Sequence, residues 1–263
     1  HFGNPLFVRT SHGMRPTPHA DAMAGTITRA LHLLRGVGQA ASFSRGTTTV
    51  HYRIYINDVG MLVVMPQVLR HISERAPNAT ISFIDLRPDE VVDALDRGEV
   101  DLAIGYFMGM PNWARQQTLR TTSYVCAVRS DHPDIGDSLS LEQYLHAKHA
   151  MYSTSGSPYS VVDETLARMN LTRDVTLRVP RFAALPFLIA RSDLIVTIPE
   201  DLGLAFSRLI DIKLFPPPLP LGQFEIKQYW HERHHAEPAF QWLRDVVRTE
   251  TLHLVRQRRR HPP

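Results

Sequence analysis

Residues 50–75, VHYRIYINDVGMLVVMPQVLRHISER, carry the pattern that decides the fold. Residues 50–56 are rich in β-branched and aromatic side chains and predict a strand. From residue 61 to residue 75 apolar side chains recur on one helical face, which predicts an amphipathic helix. A strand followed directly by a helix is the opening unit of an α/β protein.

The same alternation continues along the chain. Further strand-like runs lie at residues 80–84, 100–105, 123–129, 175–179, 193–198 and 224–230. Helical patterns lie between and after them at residues 88–97, 140–146, 160–169, 182–191, 200–206 and 238–255. This order predicts βαβ units and a largely parallel, doubly wound sheet. Folds of this kind bind ligands at the carboxyl ends of strands, beside helix N-termini.

A separate helix precedes this body. After the Pro-Thr-Pro breaker at residues 16–18, apolar residues recur at helical spacing as far as residue 37. Residues 39–49 are polar, with Gly46 and three consecutive threonines, and predict a linker. The compact body therefore begins near Val50.

Composition predicts an ordinary soluble protein. Of the 263 residues 21% are charged, with a formal net charge of +3, so the chain lacks the strong basicity of a nucleic-acid wrapper. No stretch is long and apolar enough to span a membrane, and residues 1–15 lack the layout of a signal peptide, so we expect no membrane partner. The single cysteine, Cys126, lies in an apolar run and is expected to pack as a small hydrophobe in a reducing cytoplasm.

Several segments resemble LysR-type transcriptional regulators. Residues 4–18, NPLFVRTSHGMRPTP, look like the wing of that family's winged helix-turn-helix and its passage into the linker helix. Blocks of the family's effector domain are matched, in the same order, by residues 97–105 (RGEVDLAIG), 124–126 (YVC), 130–133 (SDHP) and 193–199 (DLIVTIP). The wing and the stretch 230–238 favour the subgroup of nodulation and naphthalene- or nitrotoluene-degradation regulators.

The resemblance implies a domain organisation. Most of the helix-turn-helix would be missing from the chain, with residues 1–16 its wing remnant, 17–38 the dimerisation helix and 39–49 a hinge. An effector-binding domain would follow, two-lobed like a periplasmic binding protein, with lobe I at residues 50–145 and 224–255 and lobe II at residues 146–223. The basic segment 256–263 is interpreted mainly as a solvated tail.

The resemblance also implies partners. We expect a cytoplasmic homodimer or homotetramer that is not an enzyme, holds no cofactor and, as the full-length protein, binds promoter DNA. An inducer in the cleft between the lobes is expected to be an aromatic carboxylate or a phenol. In the wing, Arg9, Thr10 and Ser11 are expected to touch phosphate, which positions a protein without reading sequence.

The first wall of the expected cleft is the turn Asn57-Asp58-Val59-Gly60, which opens the first helix. Unpaired backbone N–H groups and the helix dipole favour a carboxylate there, although Asp58 is as well suited to capping the helix. Tyr106 and Phe107 follow a strand at its carboxyl end and offer an aromatic wall, or plain packing within the lobe.

Lobe II supplies the remaining candidates. Ser155, Gly156 and Ser157 face the cleft if the family pattern holds, although Gly-Ser-Pro is also common turn chemistry. Arg181, just before Phe182 and the helix that begins there, lies where related regulators place an inducer contact, often a histidine, and its guanidinium would suit a carboxylate. It is equally an ordinary exposed arginine at a helix start. Thr197 ends the next strand and is expected either to line the cavity or to pack inside the lobe.

Two other functions have weaker support from the sequence. His231-Glu232-Arg233-His234-His235 has the spacing of a zinc protease motif, but it follows an extended run and meets Pro238, which leaves no room for the helix that motif needs. No nucleophile elbow and no glycine-rich phosphate loop is present. A solute-binding protein of the same two-lobed shape remains the alternative binder, and the wing-like N-terminus argues against it.

Overall fold

The computed structural model describes residues 5–10, 13–36, 49–107, 109–153 and 160–260. In chain order the strands of these ranges are β1 Phe7–Thr10, β2 Gly13–Pro16, β3 His51–Ile56, β4 Thr80–Phe83, β5 Leu102–Gly105, β6 Ala114–Thr122, β7 Tyr124–Arg129, β8 Lys148–Tyr152, β9 Asp174–Val179, β10 Leu194–Pro199, β11 Ile212–Phe215 and β12 Phe224–His231. The α-helices are α1 Pro18–Gly36, α2 Asp58–Val63, α3 Met65–Arg75, α4 Val91–Arg97, α5 Leu141–His146, α6 Ser160–Arg168, α7 Leu185–Ile189, α8 Glu200–Phe206 and α9 Pro238–Arg260.

An antiparallel hairpin and a helix lie before the body. Strands β1 and β2 pair with each other, and α1 follows them. Thr17 joins the two parts, because its hydroxyl donates to the carbonyl of Pro5 at 3.0 Å and accepts from the amide of Ala20 at 3.3 Å. A threonine in this position is a favourable helix N-cap.

The body holds two five-stranded sheets, one for each lobe. The first has the order β4-β3-β5-β12-β6, and the second has the order β11-β7-β10-β8-β9. In each sheet three neighbouring strands are parallel, and the remaining two pair antiparallel. The expected two-lobed α/β fold is confirmed, while the sheets are mixed rather than largely parallel.

The antiparallel strands also carry the chain between the lobes. Strand β6 pairs in the first sheet, and β7, which starts after the single residue Ser123, pairs in the second. The return passage runs from β11 to β12. A lobe boundary at residue 145 would therefore cut the second sheet, and strand pairing moves the first crossing to residue 123.

Apolar layers cover both faces of the first sheet. Helices α3 and α9 pack against each other, α9 also contacts β6, and α4 packs on β5 and β12. The α4 side has its own small core, which includes Val91, Leu95 and Tyr229. Coverage of both faces by helices is the doubly wound arrangement that the strand-helix alternation predicts.

A polar network is buried inside the second lobe. The Tyr144 hydroxyl lies 2.9 Å from the Thr197 hydroxyl, and the Cys126 sulfur lies 3.6 Å from the same atom. The His149 ring contacts the Tyr144 carbonyl through Nε2 at 2.7 Å. Burial lowers the pKa of His149 to about 4 and raises the pKa of Cys126 to about 12. Cys126 is fully buried, as expected from its apolar surroundings.

Some elements differ from the sequence-based expectation. The single helix predicted at residues 61–75 is two helices, α2 and α3, and the second begins with Pro66 in its first turn, where a missing N–H costs nothing. Strands β6, β8 and β11 were not predicted. Helix α9 continues to Arg260, through much of the segment predicted as a tail. None of the helices, as far as the structure describes them, has the length and apolarity that crossing a membrane requires.

Candidate functional site

A cavity that is partly open to solvent lies between the two lobes. It is bordered by the carboxyl ends of β3, β5, β8 and β10 and by the segments where the chain crosses between lobes. Its first-lobe lining includes Ile56, Asn57, Val59, Gly60, Ile104, Thr122 and Ile226. This is the edge at which parallel strands of α/β folds bind ligands.

Aromatic side chains make up much of the wall. The Tyr152 and Phe182 rings of the second lobe are stacked, with centroids 3.6 Å apart. Tyr106 meets Phe224 edge to face with centroids 5.9 Å apart. The aromatic lining residues are Tyr55, Tyr106, Phe107, Tyr152, Phe182 and Phe224. Flat apolar walls of this kind suit a ring-shaped ligand.

One ion pair is buried against the cavity. The Arg120 guanidinium, from β6, contacts the Asp201 carboxylate, from α8, and their side chains are only 6% and 10% exposed. They are the charged members of the described lining. Since β6 belongs to the first sheet and α8 follows β10 of the second, the pair joins the lobes near the crossing strands.

The N-terminus of α2 contributes a second interlobe contact. Asn57 caps the helix, with its Oδ1 accepting from the Gly60 amide at 2.9 Å. Asp58 instead reaches the other lobe, where its carboxylate accepts from the Ala183 amide at 2.7 Å. That amide belongs to the 3₁₀ turn Phe182–Ala184. The capping role considered for Asp58 therefore belongs to Asn57.

A third interlobe contact lies in an outer groove that shares Tyr55, Asn57 and Tyr152 with the cavity. Here the Arg181 guanidinium donates to both Asp85 carboxylate oxygens, at 3.0 to 3.2 Å. Hydrogen bonding to Asp85 raises the pKa of Arg181. Both side chains are well exposed, at 62% and 77%. The guanidinium expected to hold a ligand carboxylate is thus held by a carboxylate of the protein.

The remaining predicted residues divide into three groups. Asn57, Val59, Gly60, Tyr106, Phe107 and Phe182 line the cavity. Thr197 does not, because its hydroxyl points into the buried network with Tyr144 and Cys126. Ser155, Gly156 and Ser157 lie outside the described residues.

Several lining residues were missed from the sequence. Arg120, Thr122 and Tyr152 lie on strands that were not predicted, and Tyr55 lies inside a predicted strand, one residue before its end. Asp201 follows a predicted strand at its carboxyl end, as the other candidates do. This position after a strand could have identified Asp201 as a candidate from the sequence. Nothing in the sequence links Asp201 to Arg120.

The hairpin and the zinc-like motif lie elsewhere. Arg9 and Thr10 are exposed on β1, and Ser11 is outside the described residues. The zinc-like motif is a single 3₁₀ turn, Glu232–His234, after β12, and Glu232 is ion-paired with Arg115. In the part of the chain that the structure describes, no group of three metal-ligating side chains is assembled.

Comparison with known families matches residues 47–252 to the LysR substrate-binding domain. The HTH-type transcriptional activator NahR of Pseudomonas putida is 33% identical over 245 residues, which cover 93% of this chain and 82% of that protein. Nodulation protein D 1 of Neorhizobium galegae is 28% identical, with 94% and 80% covered. These relatives match the subgroup expected from the sequence, and they are regulators rather than enzymes.

A solved structure supports the same family. The regulatory domain of MexT, a transcriptional activator in Pseudomonas aeruginosa, superimposes with a TM-score of 0.69 at 27% identity. The superposition covers 76% of this chain and 98% of that domain. The similarity therefore covers nearly all of that domain and about three quarters of this chain.

Proposed function

The chain belongs to the LysR family of transcriptional regulators and contains its effector-binding domain, and from that premise we propose that the interlobe cavity binds a small aromatic effector. The effector would change transcription by altering how the two lobes sit against each other. Regulators of this family bind promoter DNA and small effectors as oligomers. We place the protein, accordingly, in the cytoplasm.

The aromatic lining is the observation that carries the proposal. Six aromatic side chains border the cavity, from both lobes, and the charged lining groups pair with each other. Burying a flat apolar ring among such side chains is favourable in itself, and edge-to-face or stacked contacts add to it. A small polar solute would gain much less from these walls.

The interlobe contacts supply a physical route to regulation. The Arg120–Asp201, Asp58–Ala183 and Arg181–Asp85 contacts each join one lobe to the other. A ligand that touches both lobes favours the arrangement in which these contacts are made. It shifts the equilibrium only to the extent that it binds the two arrangements differently.

Promoter contact belongs to the full-length protein. We propose that Arg9 and Thr10 of the hairpin, together with Ser11, contact phosphate beside the recognition helix of that protein. Contacts of this kind fix orientation on the duplex without reading sequence. The proposed effector signal would reach the hairpin through α1 and the subunit contacts of a dimer or tetramer.

A thermal-shift screen of the chain against small aromatic compounds tests the binding proposal. A compound present at about 100 times its dissociation constant adds about 2.7 kcal/mol of stability. For a domain of this size that raises the melting temperature by roughly 5 to 10 °C. The control pair is Tyr106→Ala in the cavity and Phe187→Ala on the surface, where Phe187 is 58% exposed.

We expect the shift to shrink in Tyr106→Ala and to persist in Phe187→Ala. An aromatic panel that shifts neither the wild type nor the variants would refute the proposal. Equal shifts in all three proteins would place the compound outside the cavity. Either result would leave the family assignment intact, since that rests on the sequence match.

A further inference from the structure

We propose that the cavity selects an uncharged hydroxylated aromatic, a phenol, over an aromatic carboxylate. The inference rests on the proposed function, because it concerns which ligand the same cavity takes. It follows from where the protein has already placed its charges. The two guanidiniums that a ligand carboxylate would seek, Arg120 and Arg181, each already face a carboxylate of the protein.

The inner pair is the stronger part of the argument. Arg120 and Asp201 are both nearly buried and together carry no net charge. A carboxylate that drew Arg120 away would leave Asp201 buried without its cation, which is strongly unfavourable. A carboxylate that shared Arg120 would place two negative charges against one positive charge beside apolar walls.

A phenolic hydroxyl meets neither difficulty. It donates one hydrogen bond and accepts others, so it can donate to Asp201 while accepting from Arg120. The pair remains neutral when such a ligand binds, and no charge is buried that was not buried before. Hydrogen bonds to the two charged partners are also stronger than bonds between neutral groups.

The outer groove adds to this preference. Its described lining contains four carboxylates, Asp58, Asp85, Asp89 and Glu90, but only two guanidiniums, Arg87 and Arg181. Asp89 and Glu90 both contact Arg87. The excess negative charge in this groove, which adjoins the cavity, lowers the local concentration of an anion and does not affect a neutral molecule. The cavity and the adjoining groove therefore both disfavour a carboxylate.

Isothermal titration calorimetry with matched probes tests the proposal at neutral pH and moderate salt. The probes are 2-naphthol, 2-naphthamide and 2-naphthoate, which share one ring system and differ in the charge and hydrogen-bonding group. We expect wild-type protein to bind 2-naphthol at least about tenfold more tightly than 2-naphthoate, with 2-naphthamide nearer to 2-naphthol. Tighter binding of 2-naphthoate would overturn the proposal.

Asp201→Asn sharpens the test. The asparagine keeps an acceptor for Arg120 and removes the negative charge, so the guanidinium can serve a ligand anion. We expect the preference to move toward 2-naphthoate by about tenfold or more. If the folded variant has the same ratio of 2-naphthol to 2-naphthoate dissociation constants as the wild type, the role of the Arg120–Asp201 pair is overturned. If the variant does not fold, the wild-type ratio alone tests the proposal.

The outcomes also separate the two proposals. Binding of 2-naphthoate in preference to 2-naphthol would overturn the phenol inference and leave aromatic binding standing. No binding of any probe, by the wild type or by Asp201→Asn, would overturn the aromatic cavity itself and the inference with it. Glu142→Gln, which removes an exposed carboxylate of α5 that lines neither the cavity nor the outer groove, is the control for a general change in surface charge.

Discussion

Breaking the buried ion pair should cost much more stability than breaking the exposed one. Arg120→Leu removes the cation and leaves the Asp201 carboxylate in a site where its side chain is only 10% exposed. Removing one partner of a buried pair typically costs roughly 3 to 5 kcal/mol. At about 2 to 4 °C per kcal/mol for a domain of this size, the melting temperature should fall by roughly 6 to 20 °C.

A double-mutant cycle separates the charge effect from the loss of packing. Replacing both partners, as Arg120→Leu with Asp201→Leu, removes the two buried charges together. Such replacements are often neutral or stabilising, so the double variant should recover most of the loss. The exposed pair is the comparison: Arg181→Ala should cost no more than about 1 kcal/mol, since exposed ion pairs contribute little.

Urea unfolding followed by circular dichroism measures these differences directly. The slope of the unfolding free energy against urea should stay constant among the variants, which indicates that the folded states are equally compact. The reasoning fails if Arg120→Leu is no less stable than Arg181→Ala. It also fails if the double variant is as unstable as the sum of its single changes, because coupling between the partners would then be absent.

Two further predictions concern the α2 turn and the second-lobe core. A Cβ at Gly60 would lie 2.6 Å from Ile56 side-chain atoms. Gly60→Ala should therefore push Ile56 toward the cavity and weaken 2-naphthol binding about tenfold. Gly136→Ala is the control, because a Cβ at Gly136 would meet open space and should leave binding unchanged. The pKa of His149 is about 4 when folded and 6.5 in the unfolded chain, so below pH 6.5 the unfolded state takes up a proton first and stability falls as pH drops toward 4. Measured by urea unfolding from pH 7 to pH 4, the loss of unfolding free energy should reach roughly 3 kcal/mol. It should disappear in His149→Asn and persist in the exposed-site control His19→Asn. A wild-type stability that does not change with pH would contradict the lowered pKa of His149.

Most of the architecture could be predicted because its patterns are local. Each predicted strand of the body exists, with ends shifted by no more than two residues, since a buried strand needs an apolar run wherever it lies. Strand β6, residues ARQQTLRTT, was missed because Leu119 is its only buried apolar residue. Its place in the sheet comes from pairing with β12, about a hundred residues later, and no local pattern carries that information.

The candidate site was predicted less completely for the same reason. Residues that follow a strand, such as Asn57, Tyr106 and Phe182, could be located because the carboxyl ends of parallel strands meet at one edge. The partners of charged residues could not be located. Asp85 and Arg181 are 96 positions apart, and only the fold shows that they meet. The sequence offered Arg181 as a free guanidinium, and its neutralisation became visible only in three dimensions.

The contrast between the two ion pairs indicates how the cleft should open. Separating the exposed Arg181–Asp85 pair costs little, because water solvates both charges, whereas separating Arg120 from Asp201 strands two buried charges. Opening should therefore occur at the outer groove and pivot near the crossing strands.

Cysteines in place of Asp85 and Arg181, joined by a flexible bis-maleimide, should then slow the uptake and release of 2-naphthol, while the unlinked double variant exchanges freely. Cys126 should not interfere, because burial raises the pKa of its thiol to about 12 and keeps it from the reagent. Unchanged exchange after linking would mean that the ligand enters by another route and that separation of the Arg181–Asp85 pair does not control access to the cavity.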